Sequence, residues 1–308
     1  MALPNFAYFR GEIVPYSEAK VGVLTHALNY GTGAFAGLRG YWNPDDEQLY
    51  MFRPHDHFRR LLNSAKILCM EFEHTPESLT EITKALLRKE AYREDVYIRP
   101  LVYKADEMIG VKLHDLIDEI SIAAMPFGLY VAKDTNAHVT ISSWRRIDDN
   151  VIPARGKITG AYANSALIKT DAVRAGFDEA LVLTQEGHIS EGSAMNLFMV
   201  RDGKLITPPL TENVLEGITR RSVLEIAARE LDIIVEERLI DRTEVYLCEE
   251  LFFTGTAAQI TAITMVDHRP VGSGVMGPVT TRLRELFNDV VRGKMPTYRD
   301  WIMPVYEK

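Results

Sequence analysis

Arg155-Gly156-Lys157-Ile158-Thr159-Gly160-Ala161-Tyr162 sets a lysine between two glycines, at a predicted strand-to-helix transition. A lone lysine is ordinarily a solvated surface charge. Here the flanking glycines let the backbone bring an amine into a cleft, and Tyr162, five residues on, can reach the same cleft. Downstream, Ile189-Ser190-Glu191-Gly192-Ser193-Ala194-Met195-Asn196-Leu197-Phe198 carries Glu191, which on its own reads as a strand-end charge. Leu215-Glu216-Gly217-Ile218-Thr219-Arg220 opens an amphipathic helix. A Gly-x-Thr helix start offers free N–H groups and a hydroxyl to a phosphate, although a plain capped helix is the commoner meaning. Thr254-Gly255-Thr256-Ala257-Ala258 is a small-residue turn after an apolar strand, able to present N–H groups to an anion or to serve as an ordinary tight connection.

Around these segments the pattern alternates between strands and helices. Strands are expected at Phe6–Arg10, Ala34–Trp42, Gln48–Phe52, Val96–Tyr103 and Glu119–Pro126, with Asn43-Pro44-Asp45-Asp46 as a turn. Pro54 opens a helix with Phe58, Leu61, Leu62, Ala65 and Leu68 on its apolar face, and Thr75-Pro76 opens another with Leu79, Ile82 and Leu86 inward. Later strands are expected at His138–Arg146, Glu179–Thr184, Ala194–Val200, Lys204–Thr207 and Leu251–Thr254, and helices at Thr159–Ala175, Thr219–Leu231 and Val279–Arg292. Gly176 suits the C-cap of the first of these helices. The stretch from Pro126 to Asn136 mixes Pro, Gly and polar residues. This predicts a small α/β domain over 1–126, an interdomain loop over 127–137 and a larger domain rich in antiparallel sheet over 138–308.

Composition narrows the function. With 35 Lys and Arg against 43 Asp and Glu, the net charge of -8 disfavours wrapping nucleic acid or sitting on an anionic membrane. The start Met1–Gly11 has no signal-peptide pattern, and no run of about 18 apolar residues exists to span a bilayer, so a cytoplasmic location is expected. The 2 cysteines, Cys69 and Cys248, form neither a disulfide framework nor a metal site by spacing and are expected to be buried thiols; no metal is expected.

Taken together, the segments resemble the fold-type IV pyridoxal-phosphate (PLP) enzymes over nearly the whole chain, and most of all the branched-chain amino-acid aminotransferases. The lysine-to-tyrosine spacing, the E-G-S-x-M-N-L-F run, the L-E-G-I-T-R helix start and the G-T-A-A turn recur there in this order. So do Tyr30-Gly31-Thr32-Gly33-Ala34-Phe35-Ala36-Gly37-Leu38-Arg39, the stretch from Arg60-Leu61 to Ser64-Ala65-Lys66, and Tyr97-Ile98-Arg99-Pro100.

The resemblance implies roles. Lys157 would hold PLP through its amine and move the proton between substrate Cα and cofactor. Glu191 would keep the pyridine nitrogen protonated, Tyr162 would bond the ring hydroxyl, and Leu215 would pack on a ring face. Arg60, Ile218, Thr219 and Thr256 would hold the phosphate. The substrate set would comprise Tyr97 with the Thr256-Ala257 turn for the α-carboxylate, Phe35, Gly37 and Tyr130 around the side chain, and Arg39 as a further substrate-binding residue. Arg99 would receive a γ-carboxylate, with Tyr30 of a neighbouring subunit beside it. Tyr30 and Val111 would reach the neighbouring subunit's site, implying a homodimer or larger homo-oligomer. Ala36, Gly160-Ala161 and Arg155 depart from the commoner family pattern and bear on substrate preference. The expected activity is transfer of the amino group of L-leucine, L-isoleucine or L-valine to 2-oxoglutarate. The alternative is a D-amino-acid or (R)-amine transaminase of the same fold.

Overall fold

The computed structural model describes residues 3–128 and 135–307. The chain forms two compact units: one takes residues up to Gly128, then Gly156–Gly160 and the chain from Asp289 on, and the other takes Leu129–Arg155 and Ala161–Asn288.

Among the described residues, the first unit is built on an eight-stranded sheet. Its strands are β1 (Phe6–Phe9), β2 (Glu12–Pro15), β3 (Gly33–Phe35), β4 (Leu38–Asn43), β5 (Gln48–Phe52), β6 (Val96–Lys104), β7 (Asp118–Pro126) and a C-terminal strand, Ile302–Pro304. The order is C-terminal strand, β5, β4, β6, β7, β1, β2, with β3 also paired on β6. Besides the short helix α1 (His26–Tyr30), the unit has α2 (Pro54–Ile67) and α3 (Pro76–Glu90), both started by proline at a position where its missing N–H costs nothing. Thr75 closes a capping box with Ser78 at the head of α3. Phe58, Leu61, Leu79, Leu86 and Leu87 are buried from these helices, whereas Leu62 and Ile82 are only half-buried.

The extended run expected from Ala34 to Trp42 is broken. β3 and β4 pair with different parts of the same strand, β6, and Ala36-Gly37 forms the step between them. The step suits glycine: a Cβ on Gly37 would collide with the Tyr97 hydroxyl.

The second unit contains β8 (Ala137–Arg145), α4 (Tyr162–Arg174), β9 (Glu179–Leu183), β10 (Ile189–Gly192), β11 (Asn196–Arg201), β12 (Lys204–Thr207), α5 (Ile218–Glu230), β13 (Ile234–Glu237), β14 (Glu250–Gly255), β15 (Gln259–Val266) and β16 (Arg269–Pro270). Among the described residues its sheet has nine strands, in the order β10, β9, β8, β15, β14, β11, β12, β13, with β16 on β15. The β8–α4–β9 stretch is a parallel crossover with α4 packed on both strands. Gly176, at φ 87°, ends the α4 segment as expected. The core of this unit gathers Val139, Leu181, Ile189, Leu197, Met199, Ile206, Leu251, Phe253 and Ile263.

Two stretches assigned by sequence to the 138–308 domain group instead with the first unit, because pairing outweighs sequence neighbourhood. Ile158 makes a bridge to Ala34, and Ile302–Pro304 extends the sheet at β5. Lys157 also follows turns rather than a strand, since β8 ends at Arg145. Cys69 is exposed at a left-handed turn after α2 (φ 52°), contrary to the buried thiol expected; Cys248 is buried, which pushes its thiol up to about 12. No helix among the described residues is long and apolar enough to cross a membrane, and no group of three or more His, Cys, Asp or Glu among them could hold a metal ion.

Candidate active site

The first unit carries the amine. Gly156–Gly160 lies along β3: the Phe35 N–H donates to the Lys157 carbonyl at 3.0 Å, and the Gly160 N–H donates to the Gly31 carbonyl at 3.1 Å. Thr159 Oγ1 donates to the Gly31 carbonyl at 2.8 Å and accepts from the Gly33 N–H at 3.2 Å. Gly31 is left-handed (φ 67°), and a Cβ on it would stand 2.7 Å from Gly160 Cα, so the two segments approach this closely only with glycine at position 31. From α2, buried Ser64 accepts from the Lys157 N–H at 3.2 Å and donates to the Arg60 carbonyl at 2.9 Å. The backbone of Lys157 is thus held on two sides while its half-buried side chain passes Phe35, with Nζ 5.1 Å from the ring centre. Arg60 is half-buried on the same helix.

Ser64 has no role in the sequence reading, yet it links Arg60 to Lys157. Ser64→Ala would leave the Lys157 N–H without its acceptor, costing about 1–3 kcal/mol. A melting temperature lowered by several degrees, with kcat reduced about tenfold at saturating cofactor, is the expected result. Unchanged kcat in steady-state assays would remove Ser64 from the positioning set.

The other candidates of this unit cluster around the step at Gly37. Arg99 is exposed, donates from Nη2 to Tyr97 Oη at 3.2 Å, and lies over the Phe35 ring at 4.5 Å and the Tyr97 ring at 5.2 Å. A guanidinium stacked on two rings keeps its hydrogen-bonding edge presentable to a carboxylate. Arg39 is buried at 2% exposure and donates to the Phe127 carbonyl at 2.7 Å, with Asp95 3.8 Å away. Tyr30 accepts from the Gly110 N–H at 3.1 Å through its hydroxyl, and Val111 is 75% exposed.

The second unit carries the carboxylate. Glu191, in β10, is 3% exposed. Arg146 Nη2 is 2.8 Å from its Oε1, while Oε2 accepts from Asn196 Nδ2 at 2.9 Å and from the Leu215 N–H at 3.3 Å. Asn196 also donates to the Leu215 carbonyl at 2.9 Å. Its Oδ1 fills the space that a Cβ on Gly217 would need. Gly217 is the N-cap of α5, so Ile218 and Thr219 stand in the first turn, where N–H groups lack helical acceptors. Half-buried Leu215 precedes this turn, and Tyr162 is the first α-helical residue of α4. Thr256 and Ala257 belong to the turn joining β14 to β15, whose last pair is Gly255 with Gln259. Tyr130 lies outside the described residues. Arg146 and Asn196 escaped the sequence reading as functional groups. Asn196 stood inside the quoted run, but Arg146 has no local signal at all.

The chain thus carries a buried carboxylate with a cation on one oxygen, an amine beside an aromatic ring, and a helix start N-capped by glycine. The Amino-transferase class IV family matches residues 37–266. The chain belongs to that family. This class IV aminotransferase is 47% identical over 304 residues to a protein of Aquifex aeolicus (strain VF5) named probable branched-chain-amino-acid aminotransferase, covering 99% of this chain and 98% of that one. Among solved structures, the branched-chain aminotransferase of Thermoproteus uzoniensis with norvaline is similar at a TM-score of 0.94 and 41% identity, covering 98% of this chain and 100% of that one. The branched-chain amino acid aminotransferase of Thermobaculum terrenum in its PLP form is similar at a TM-score of 0.95 and 38% identity, covering 100% of each chain. Class IV aminotransferases depend on PLP. The donor set of this chain fits that cofactor: an amine, a guanidinium and a helix start suited to a phosphate, a phenol, and a buried carboxylate suited to a ring nitrogen.

Proposed function

We propose that this aminotransferase moves the amino group of L-leucine, L-isoleucine or L-valine to 2-oxoglutarate, giving the branched-chain 2-oxo acid and L-glutamate. The observation that carries the reading is Glu191, a carboxylate at 3% exposure held by Arg146 and by two N–H donors. Such a group suits a protonated ring nitrogen. Bound PLP supplies the electron sink that makes a substrate Cα proton acidic. Lys157 carries the cofactor and moves that proton. Arg60, the first turn of α5 at Ile218 and Thr219, and Thr256 hold the phosphate, Tyr162 holds the ring hydroxyl, and Leu215 covers a ring face. Tyr97 with the Thr256-Ala257 turn binds the α-carboxylate, and Phe35 and Gly37 bound the side-chain pocket. Arg39 acts at one remove, through Asp95 and the Phe127 carbonyl. The relatives' names do not favour the D-amino-acid or (R)-amine alternative.

The reading includes a homodimer in the cytoplasm. Val23, Leu28, Ile109 and Val111 are exposed apolar residues near Tyr30 in sequence or through Gly110, and they suit contact with a second copy. The direct test is spectroscopic: a visible cofactor band that bleaches on adding L-leucine and returns on adding 2-oxoglutarate. A band indifferent to L-leucine would refute the reading.

One pocket must take an aliphatic side chain and then a γ-carboxylate, and burying that carboxylate unpaired is prohibitive. Arg99, exposed and stacked, serves both states: solvated with leucine, paired with glutamate. Losing such a charge pair typically costs roughly 2–5 kcal/mol. Arg99→Leu is therefore expected to lower kcat/KM for 2-oxoglutarate by well over tenfold and to leave the leucine half-reaction within a few-fold. Equal losses in the two half-reactions would assign Arg99 to the fold or to the α-carboxylate.

A further inference from the structure

The chain from Arg146 to Arg155 is tied to the stretch from Asn213 to Glu216 by a continuous set of polar contacts. Asn213 is the centre of it. It is left-handed (φ 56°), a conformation asparagine tolerates better than most residues. Its Nδ2 donates to Asp148 Oδ1 at 3.0 Å, its Oδ1 accepts from the Asp149 N–H at 3.1 Å, and its carbonyl accepts from Arg146 Nε at 3.0 Å. Asp149 Oδ1 in turn accepts from the Ala154 N–H at 3.0 Å, and Arg155 stands 3.7 Å from Asp149 and 3.4 Å from Glu216. Arg146 then uses its other edge, Nη2, on Glu191 at 2.8 Å.

The guanidinium is rigid and planar, so fixing Nε fixes where Nη2 points. We propose that Asn213 and Arg146 form a positioning relay that keeps Glu191 a carboxylate, so that the strap from 146 to 155 sets the charge state of the group opposite the cofactor nitrogen. The last clause rests on the functional reading above; the relay itself involves only this chain's own side chains. The physical cause is the cation. A buried carboxylate beside a fixed guanidinium favours its charged form; with the cation removed and the Asn196 and Leu215 N–H donors kept, the same carboxylate is easier to protonate. The proton between Glu191 and a ring nitrogen would then rest on the nitrogen when Arg146 is in place, and shift toward Glu191 when it is not. Arg155, exposed at the far end of the strap, pairs with Asp149 and Glu216.

The test is carboxyl 13C NMR of the holoenzyme labelled at glutamate Cδ, with the Glu191 resonance assigned by its loss in Glu191→Gln. In the wild type this resonance is expected at the carboxylate position near neutral pH. Arg146→Met is expected to move it toward the carboxylic-acid position and to slow the leucine half-reaction about tenfold or more. Arg146→Lys is expected to restore part of both, because a charge without the planar fork is less well aimed. Should Arg146→Met fail to fold, Asn213→Gly decides the matter: glycine keeps the left-handed backbone and the carbonyl, removes only the side chain, and is expected to shift the resonance partway. A Glu191 resonance unmoved in both Arg146→Met and Asn213→Gly, or unmoved in Asn213→Gly alone where Arg146→Met does not fold, overturns the relay. Ring-15N PLP in the same samples keeps the two ideas apart. A ring-nitrogen shift indifferent to Glu191→Gln overturns the functional assignment of Glu191, whereas the carboxyl shifts alone judge the relay.

Discussion

Lys157→Ala is expected to abolish transamination, by about a thousandfold or more, in a protein that still folds. The two halves of this expectation come from different atoms. The backbone of Lys157 is held by the Phe35 N–H, by Ser64 Oγ and by the neighbouring Ile158 bridge, none of which uses the side chain. Alanine therefore keeps the contacts that seat Gly156–Gly160 on β3. The side chain itself is half-buried and passes the Phe35 ring, so its loss removes little packing. What disappears is the amine, and no other lysine in the sequence has a matching context from which to replace it. Circular dichroism and the melting temperature should stay close to wild type while turnover vanishes. Turnover within tenfold of wild type, without added amine, would falsify the assignment of Lys157.

Glu191→Gln is expected to retain bound cofactor but to slow the proton-transfer half-reaction by on the order of a hundredfold, because a neutral amide cannot stabilise a protonated ring nitrogen. The geometry adds a second effect. One carboxylate oxygen faces a guanidinium and the other accepts from two N–H groups, those of Asn196 and Leu215. Whichever way the glutamine amide turns, its NH2 meets donors: Arg146 on one side, Asn196 and Leu215 on the other. Leaving a buried donor mismatched costs about 1–3 kcal/mol, which for a domain of this size corresponds to a melting temperature lower by several degrees. Stopped-flow rates measured alongside cofactor content separate the two effects. Unchanged half-reaction rates with a lowered melting temperature would leave Glu191 a purely structural group.

Much of the local architecture was written in short stretches. Pro54 and Thr75-Pro76 start their helices as expected, Gly176 ends the α4 segment, and Gly217-Ile218-Thr219 opens α5. These signals act through backbone sterics and capping over a few residues, so they survive without knowledge of the fold. The order of the motifs around Lys157, Glu191 and Thr219 likewise led from residues to a family, and the family match over residues 37–266 agrees with it. Less legible were strands such as β15 and β13: β15 is almost wholly buried and so lacks a two-residue alternation, and β13 spans only Ile234–Glu237.

The partnerships that give those motifs their chemistry needed the tertiary structure. Nothing near Arg146 in sequence names Glu191 as its partner, nor does α2 announce that Ser64 will hold the backbone of Lys157. Resemblance alone places Gly37 in the side-chain pocket, and only the fold shows the Tyr97 hydroxyl where its Cβ would be. The sequence by itself determined which residue types stand where short-range geometry begins or ends an element, and hence which family the chain resembles. Only the fold decided which side chains meet, because a contact between distant residues exists once the strands carrying them have paired, and that pairing is set by the sum of burial and hydrogen bonding over each whole unit rather than by any local stretch.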